Sequence, residues 1–264
     1  MIFFQESMRS PSNIPSVEEN QFIKSGLHSD VVEKTLLLFD IDSTLISVQP
    51  GVTRRVVAQT FEVVFGQSAC IDQVSTFAGK TDLQIFFELG EASGIDQVKI
   101  TNKWYDIIEL MTRLSASAFH EGTIMVLPGV AELLYSLSCD QRFVLGLVTG
   151  NNRHCAPLKL QPFSLDKYFT FGAYGCEHFL RSKLPPLAYE RAQRQYPHYS
   201  FSLNRTIVIG DSPADVDCAL KNNMQSIAVA TGQFTQDELL LSGAHYVLEN
   251  FEYYQNVTPI FLQW

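Results

Sequence analysis

Two aspartates stand one residue apart at the end of an apolar run, Thr35-Leu36-Leu37-Leu38-Phe39 followed by Asp40-Ile41-Asp42. In an extended chain, side chains two apart point the same way, so both acids would face one ligand at a cost in mutual repulsion. A divalent cation would offset that cost. A carboxylate held beside such an ion can attack a phosphoryl group, while its neighbour trades protons with the leaving group. An acidic turn would carry the same pair, so the dipeptide alone is not specific. Far downstream, a second apolar run, residues 206–209, delivers Gly210-Asp211-Ser212-Pro213-Ala214-Asp215 just ahead of a helical pattern. Asp211 offers a hard oxygen ligand suited to magnesium, and Asp215 is close enough to support it or to hold a metal-bound water. A turn residue and a helix cap are the alternatives for these two. A third run, residues 143–148, ends in Thr149-Gly150-Asn151, where a hydroxyl and neighbouring amides could receive phosphate oxygens or form an ordinary turn.

What must position these groups is a set of short, almost wholly apolar segments. Such segments suit strands buried on both faces of a parallel sheet, and open α/β sheets keep their chemistry at the carboxyl ends of the strands. The pattern predicts strands near Leu36, Leu145, Phe171, Val208 and Ala228, with helices on both faces. Right-handed crossovers then give a doubly wound α/β fold with a mostly parallel, Rossmann-like sheet. Residues 50–124 read differently. Val52, Val56, Val57 and Phe61, then Leu83, Ile85, Phe86 and Leu89, then Trp104, Ile107, Ile108 and Met111 recur near helical spacing, and Gly66, Gly79, Gly90 and Gly94 punctuate them.

The ordered motifs resemble those of the haloacid dehalogenase-like hydrolase superfamily. They are residues 39–45, residues 147–151, a basic residue near Lys183, and residues 209–216; residues 128–130, 229–234 and 243–248 are similar to the phosphoglycolate phosphatase-like branch. The resemblance implies Asp40 as a nucleophile forming an aspartyl-phosphate. It implies Asp42 as general acid and base, with its backbone carbonyl on Mg²⁺. Thr149, with Gly150, would bind the transferring phosphoryl, Asp211 would ligate the metal, and Asp215 would support it, giving Asp40, Asp42, Asp211 and Asp215 as the metal set. Two departures stand out. Ser43 occupies the place where the family commonly has glycine, and the third motif reads Arg181-Ser182-Lys183-Leu184-Pro185. Spacing to the following prolines favours Lys183 as the catalytic and phosphate-binding cation, with Arg181 as its rival. The helical stretch is similar to an inserted cap that closes over the site and selects substrate. Within it, residues 77–82 resemble the cap loop, which makes Lys80 a substrate-binding candidate. Thr81 and Asp82 fit the role of helix caps better than catalysis. The expected organisation is an N-terminal extension over 1–34, an α/β core over 35–49 and 124–264, and a helical cap domain over 50–123.

Composition fits an enzyme of this kind. The 264 residues are 46% hydrophobic, ample for a packed core, and 28 acidic against 19 basic residues give a formal charge of −9. That excess argues against nucleic acid or an anionic membrane as partner, and no apolar stretch approaches the ~20 residues of a membrane span. Cys70, Cys139, Cys155, Cys176 and Cys218 are scattered and odd in number, which suggests reduced thiols in a cytoplasmic protein. The six histidines show no ligand spacing. The start of the chain lacks the basic and apolar regions of a secretory signal and reads as a tail or a docking segment.

The expected activity is therefore Mg²⁺-dependent hydrolysis of small-molecule phosphomonoesters, with a phosphorylated metabolite as partner and the oligomeric state unknown. A phosphomutase would use the same Asp40 and Asp42. A phosphonate-cleaving enzyme would need a cap lysine forming an imine, for which Lys80 is the candidate. A dehalogenase would not need Asp42, Asp211 or a metal. An idle interaction protein on this scaffold would have no reason to bear four clustered carboxylates.

Overall fold

The structure is a computed structural model, and it describes residues 31–263. In chain order the strands are β1 (Val32–Glu33), β2 (Thr35–Phe39), β3 (Ile46–Val48), β4 (Ile124–Val126), β5 (Phe143–Thr149), β6 (Gly172–Tyr174), β7 (Tyr199–Ser200), β8 (Thr206–Gly210), β9 (Gln225–Val229) and β10 (Tyr246–Leu248). The helices are α1 (Val52–Phe65), α2 (Asp82–Ala92), α3 (Gln97–Asn102), α4 (Trp104–Ala118), α5 (Val130–Cys139), α6 (Cys155–Leu160), α7 (Leu184–Gln195), α8 (Pro213–Lys221), α9 (Gln236–Leu241) and α10 (Tyr254–Val257).

The main sheet has six strands in the order β10-β9-β8-β2-β5-β6. Every pairing in it is parallel. The chain runs from β2 out to β5 and β6, then returns to β8 on the other side of β2. The strand order therefore reverses beside β2, at the carboxyl end where such sheets open a crevice. All residues of β2, β5 and β8 are buried, as strands covered by helices on both faces must be. One face packs Leu37, Phe39, Leu145 and Ile207 with α5, and the other packs Leu36, Leu38, Val144 and Val148 with α7.

The strands expected from apolar runs are all present. β10 was not expected as a strand, because three half-buried residues carry little periodicity. The β3–β4 antiparallel pair was also unforeseen; it sits where the chain leaves the sheet after Asp42 and where it returns. Of the segment read as an N-terminal extension, Val32–Glu33 pair with Tyr199–Ser200. Residues 1–30 of that reading lie outside the described residues. Between β3 and β4 lie the four helices α1 to α4, with their own buried cluster of Val57, Phe61, Phe86, Leu89, Ile107 and Met111. Among the described residues, no helix is long and apolar enough to cross a membrane.

Candidate active site

The strand ends converge as their sequences suggest. Asp40 follows β2, Thr149 ends β5, and Asp211 follows β8, and all three are buried. Together with Asp42, Lys159 and Arg181 they line one cavity of about 390 Å³. Asp40, Asp211 and Asp215 each place a carboxylate oxygen within 4.8 Å of the others'. Burial pushes Asp40 up to about 6, against the opposing pull of the Arg181 guanidinium. Burial, and then the charges of Asp215 and Asp40, push Asp211 up to about 8.

These carboxylates are not equivalent. Asp215 accepts Arg181 Nη2 at 2.6 Å and Nε at 3.1 Å on one oxygen. Its other oxygen accepts the Ser212 hydroxyl at 2.6 Å and the Ser212 amide at 3.2 Å, forming the capping box of α8. Asp215 is thus a helix cap and an arginine anchor at once. The Asp42 carboxylate lies outside the three-acid cluster: Lys159 Nζ sits 2.7 Å from both its oxygens, and Asn151 Nδ2 donates to one at 2.6 Å. Among the described residues, no cationic side chain forms an ion pair with Asp211. A divalent cation fits this set, since a buried hard-oxygen cluster with one acid that has no direct ion pair is what such an ion neutralises.

The structure places the two third-motif cations differently. Lys183 is exposed and does not line the cavity, whereas Arg181 is buried with Nη2 3.0 Å from Asp40 and 2.6 Å from Asp215. The cause is the 3₁₀ turn Arg181–Lys183 leading into α7. With three residues per turn, Arg181 shares a face with the fully buried Leu184, and Lys183 is turned outward. Counting back three from the apolar start of α7 would have found it.

Lys159 has no place in the sequence reading, and Asn151 enters it only as the last residue of the Thr149-Gly150-Asn151 turn, not as a partner of Asp42. Lys159 lies on the buried face of α6 with Cys155, Ala156 and Leu160, so a lysine in a core-facing position was the available signal. Ser43, at the family's glycine position, has φ 58°, the left-handed region that glycine enters without cost.

The segment before α2 roofs the cavity. A Cβ on Gly150 would stand 2.0 Å from the Lys80 carbonyl oxygen, so only glycine fits beneath this loop. Thr81 caps α2 by accepting the Gln84 amide at 3.1 Å, as its structural role required. Asp82 accepts the Asn152 amide at 2.7 Å, and burial pushes its carboxyl up to about 6. Lys80 lines the cavity but is ion-paired to Glu88 at 2.5 Å.

One prediction follows from Asp211. An acid raised from its ordinary 3.8 to about 8 keeps a proton in the folded, metal-free protein that the unfolded chain has already lost. Stability of the metal-free form therefore falls as pH rises between roughly 4 and 8. Thermal melts in chelator should show that fall. Asp211→Asn should raise the melting temperature at pH 8 by about 3 °C or more, and Mg²⁺ should stabilise the parent chain but not the variant. An unchanged melting temperature at pH 8, or full Mg²⁺ stabilisation of the variant, would contradict this.

A family model described as haloacid dehalogenase-like hydrolase matches residues 37–229. Among solved structures, a predicted phosphatase from Clostridium acetobutylicum is similar at 23% identity and TM-score 0.62, covering 86% of this chain and 99% of its own. A hydrolase from Pseudomonas syringae is similar at 18% identity and TM-score 0.62, over 86% and 98%. A β-phosphoglucomutase from Clostridium difficile is similar at 14% identity and TM-score 0.61, over 88% and 98%. These likenesses are to the fold. No curated protein matches the chain.

Proposed function

The chain belongs to the haloacid dehalogenase-like hydrolase family, and on that premise we propose that it is a Mg²⁺-dependent phosphatase of small phosphorylated metabolites. One observation carries the reading: buried Asp40, Asp211 and Asp215 cluster at the strand ends with Arg181 bonded to the first and last of them. The reaction would run in two displacements. In the first, an Asp40 oxygen bonds to phosphorus as the ester oxygen departs, and that oxygen takes a proton from Asp42. In the second, water attacks phosphorus, Asp42 takes its proton, and Asp40 is released with inorganic phosphate. Thr149 and the adjoining amides receive phosphoryl oxygens, and Arg181 balances the charge on Asp40. Asp40 and Asp211, with the Asp42 carbonyl, would hold the cation, and Asp215 would brace Arg181 beside it. A divalent ion there supplies charge neutralisation for the phosphoryl group.

In this reading, residues 50–123 act as the cap over a core of 35–49 and 124–264. The cavity of about 390 Å³ has room for a leaving group of small-metabolite size. Two cations face it from the helical segment. Lys80 is paired with Glu88, and the Arg54 guanidinium donates to the Ile71 and Val74 carbonyls beside the Phe77 ring. Paired with Glu88 at the cavity edge, Lys80 has the form of a binding charge. Lys80→Ala should reorder the ranking of substrates by tenfold or more, while a small aryl phosphate is hydrolysed within about tenfold of the parent rate.

The test is a phosphate-release screen over phosphorylated sugars, nucleotides and carboxylic acids, with Mg²⁺ and with chelator. Release of inorganic phosphate that requires the metal supports the reading. An isomeric phosphoester in place of free phosphate would make the chain a mutase. Full activity in chelator would remove the metal from the account.

A further inference from the structure

We infer that Lys159 is a positioning residue for Asp42, holding that carboxylate on the cavity side for proton transfer and out of the cation cluster. The inference rests on the phosphatase reading above and adds a residue to it.

The geometry is that of a closed clamp. Lys159 is 1% exposed, on the inner face of α6. Its ammonium has three donors and three acceptors around it: both Asp42 oxygens at 2.7 Å and Asn151 Oδ1 at 2.6 Å. The Asn151 amide completes the ring by donating to Asp42 Oδ2 at 2.6 Å and to the Thr149 hydroxyl at 2.8 Å. The ammonium also lies over the Phe119 ring, 5.0 Å from its centroid. Burying a lysine is costly, and an apolar side chain of similar volume would pack α6 at least as well. Packing therefore does not account for a lysine here, whereas its three bonds do.

The Asp42 side chain is different. It is 39% exposed and lines the cavity, so the clamp fixes its orientation without sealing it from a substrate. Asp42 gives its proton to the departing oxygen and regains one from water. Lys159 gains and loses none. A pair of residues that act as a unit is recognised by losses that do not multiply.

The experiment is a double-mutant cycle of Lys159→Met and Asp42→Asn, read by single-turnover phosphate release and by calorimetric Mg²⁺ titration. Lys159→Met should lower kcat about a hundredfold with KM within about threefold, and in the Asp42→Asn background should cost less than about threefold more. Mg²⁺ should bind Lys159→Met at least as tightly as the parent, because the freed carboxylate can turn to the cation. Losses that multiply across the cycle, near-parental activity of Lys159→Met, or weakened Mg²⁺ binding would overturn the inference. Should Lys159→Met not fold, Lys159→Gln, which keeps a polar end toward Asn151, takes its place with the same expected non-additivity. A parent chain that releases no phosphate sinks the phosphatase reading and this inference together. An active parent with multiplying losses sinks only the inference.

Discussion

Asp40→Asn is expected to lower turnover by at least roughly a thousandfold while leaving the fold intact. The amide fills the same space at the end of β2 and cannot form an acyl-phosphate. Stability should hold or rise in chelator, since burial already pushes the Asp40 carboxyl up to about 6. Its charge is therefore a burden to the metal-free fold above that pH, and removing it lightens the cluster it shares with Asp211 and Asp215. Circular dichroism and thermal melts check the fold, and phosphate release checks the rate. Substantial turnover by a folded Asp40→Asn chain would remove the covalent step.

Arg181 carries the second large effect. Its guanidinium is buried against Asp40 and Asp215, so Arg181→Ala leaves two buried carboxylates without their cation. That should lower the melting temperature by about 5 °C or more and cut turnover at least a hundredfold on every substrate alike. Arg181→Lys keeps the charge but not the fork that bonds Asp215 through two nitrogens, so it should recover stability ahead of rate. Lys183→Ala should stay within about twofold of the parent, because an exposed charge two residues away reaches nothing in the cavity. If Lys183→Ala were the crippling change, the placement of the third-motif cation at Arg181 would be wrong.

These two residues also mark how far the sequence could be read. Asp40, Thr149 and Asp211 were legible because each ends a short apolar run. A strand buried on both faces fixes where its last side chain emerges, and no knowledge of distant packing is needed. The sheet was legible for the same reason, except at β10, whose three half-buried residues lack a pattern. Arg181 and Lys183 stand two residues apart on one 3₁₀ turn and so point to different sides, which spacing to a proline does not report. The partners of Asp42 were hidden for another reason. Lys159 lies 117 residues from Asp42 in the chain, and only the packing of α6 against the sheet end brings them together. The capping role of Asp215 toward Ser212 is local and stands among the sequence readings, whereas its bond to Arg181, 34 residues away, comes from tertiary structure.

The central claim is that Asp40 itself carries the phosphoryl group. The most direct test uses Asp42→Asn with a labelled aryl phosphate, whose leaving group departs without a proton from Asp42, so that the first displacement proceeds and the second is starved of its base. Acid quenching in Mg²⁺ should trap about one phosphoryl group per chain, released by hydroxylamine as an acyl-phosphate and mapped by mass spectrometry to the peptide containing Asp40. A matching burst of about one phenolate per chain should accompany it. Label on any other residue, or hydrolysis with no trapped phosphoryl and no burst, would contradict the account.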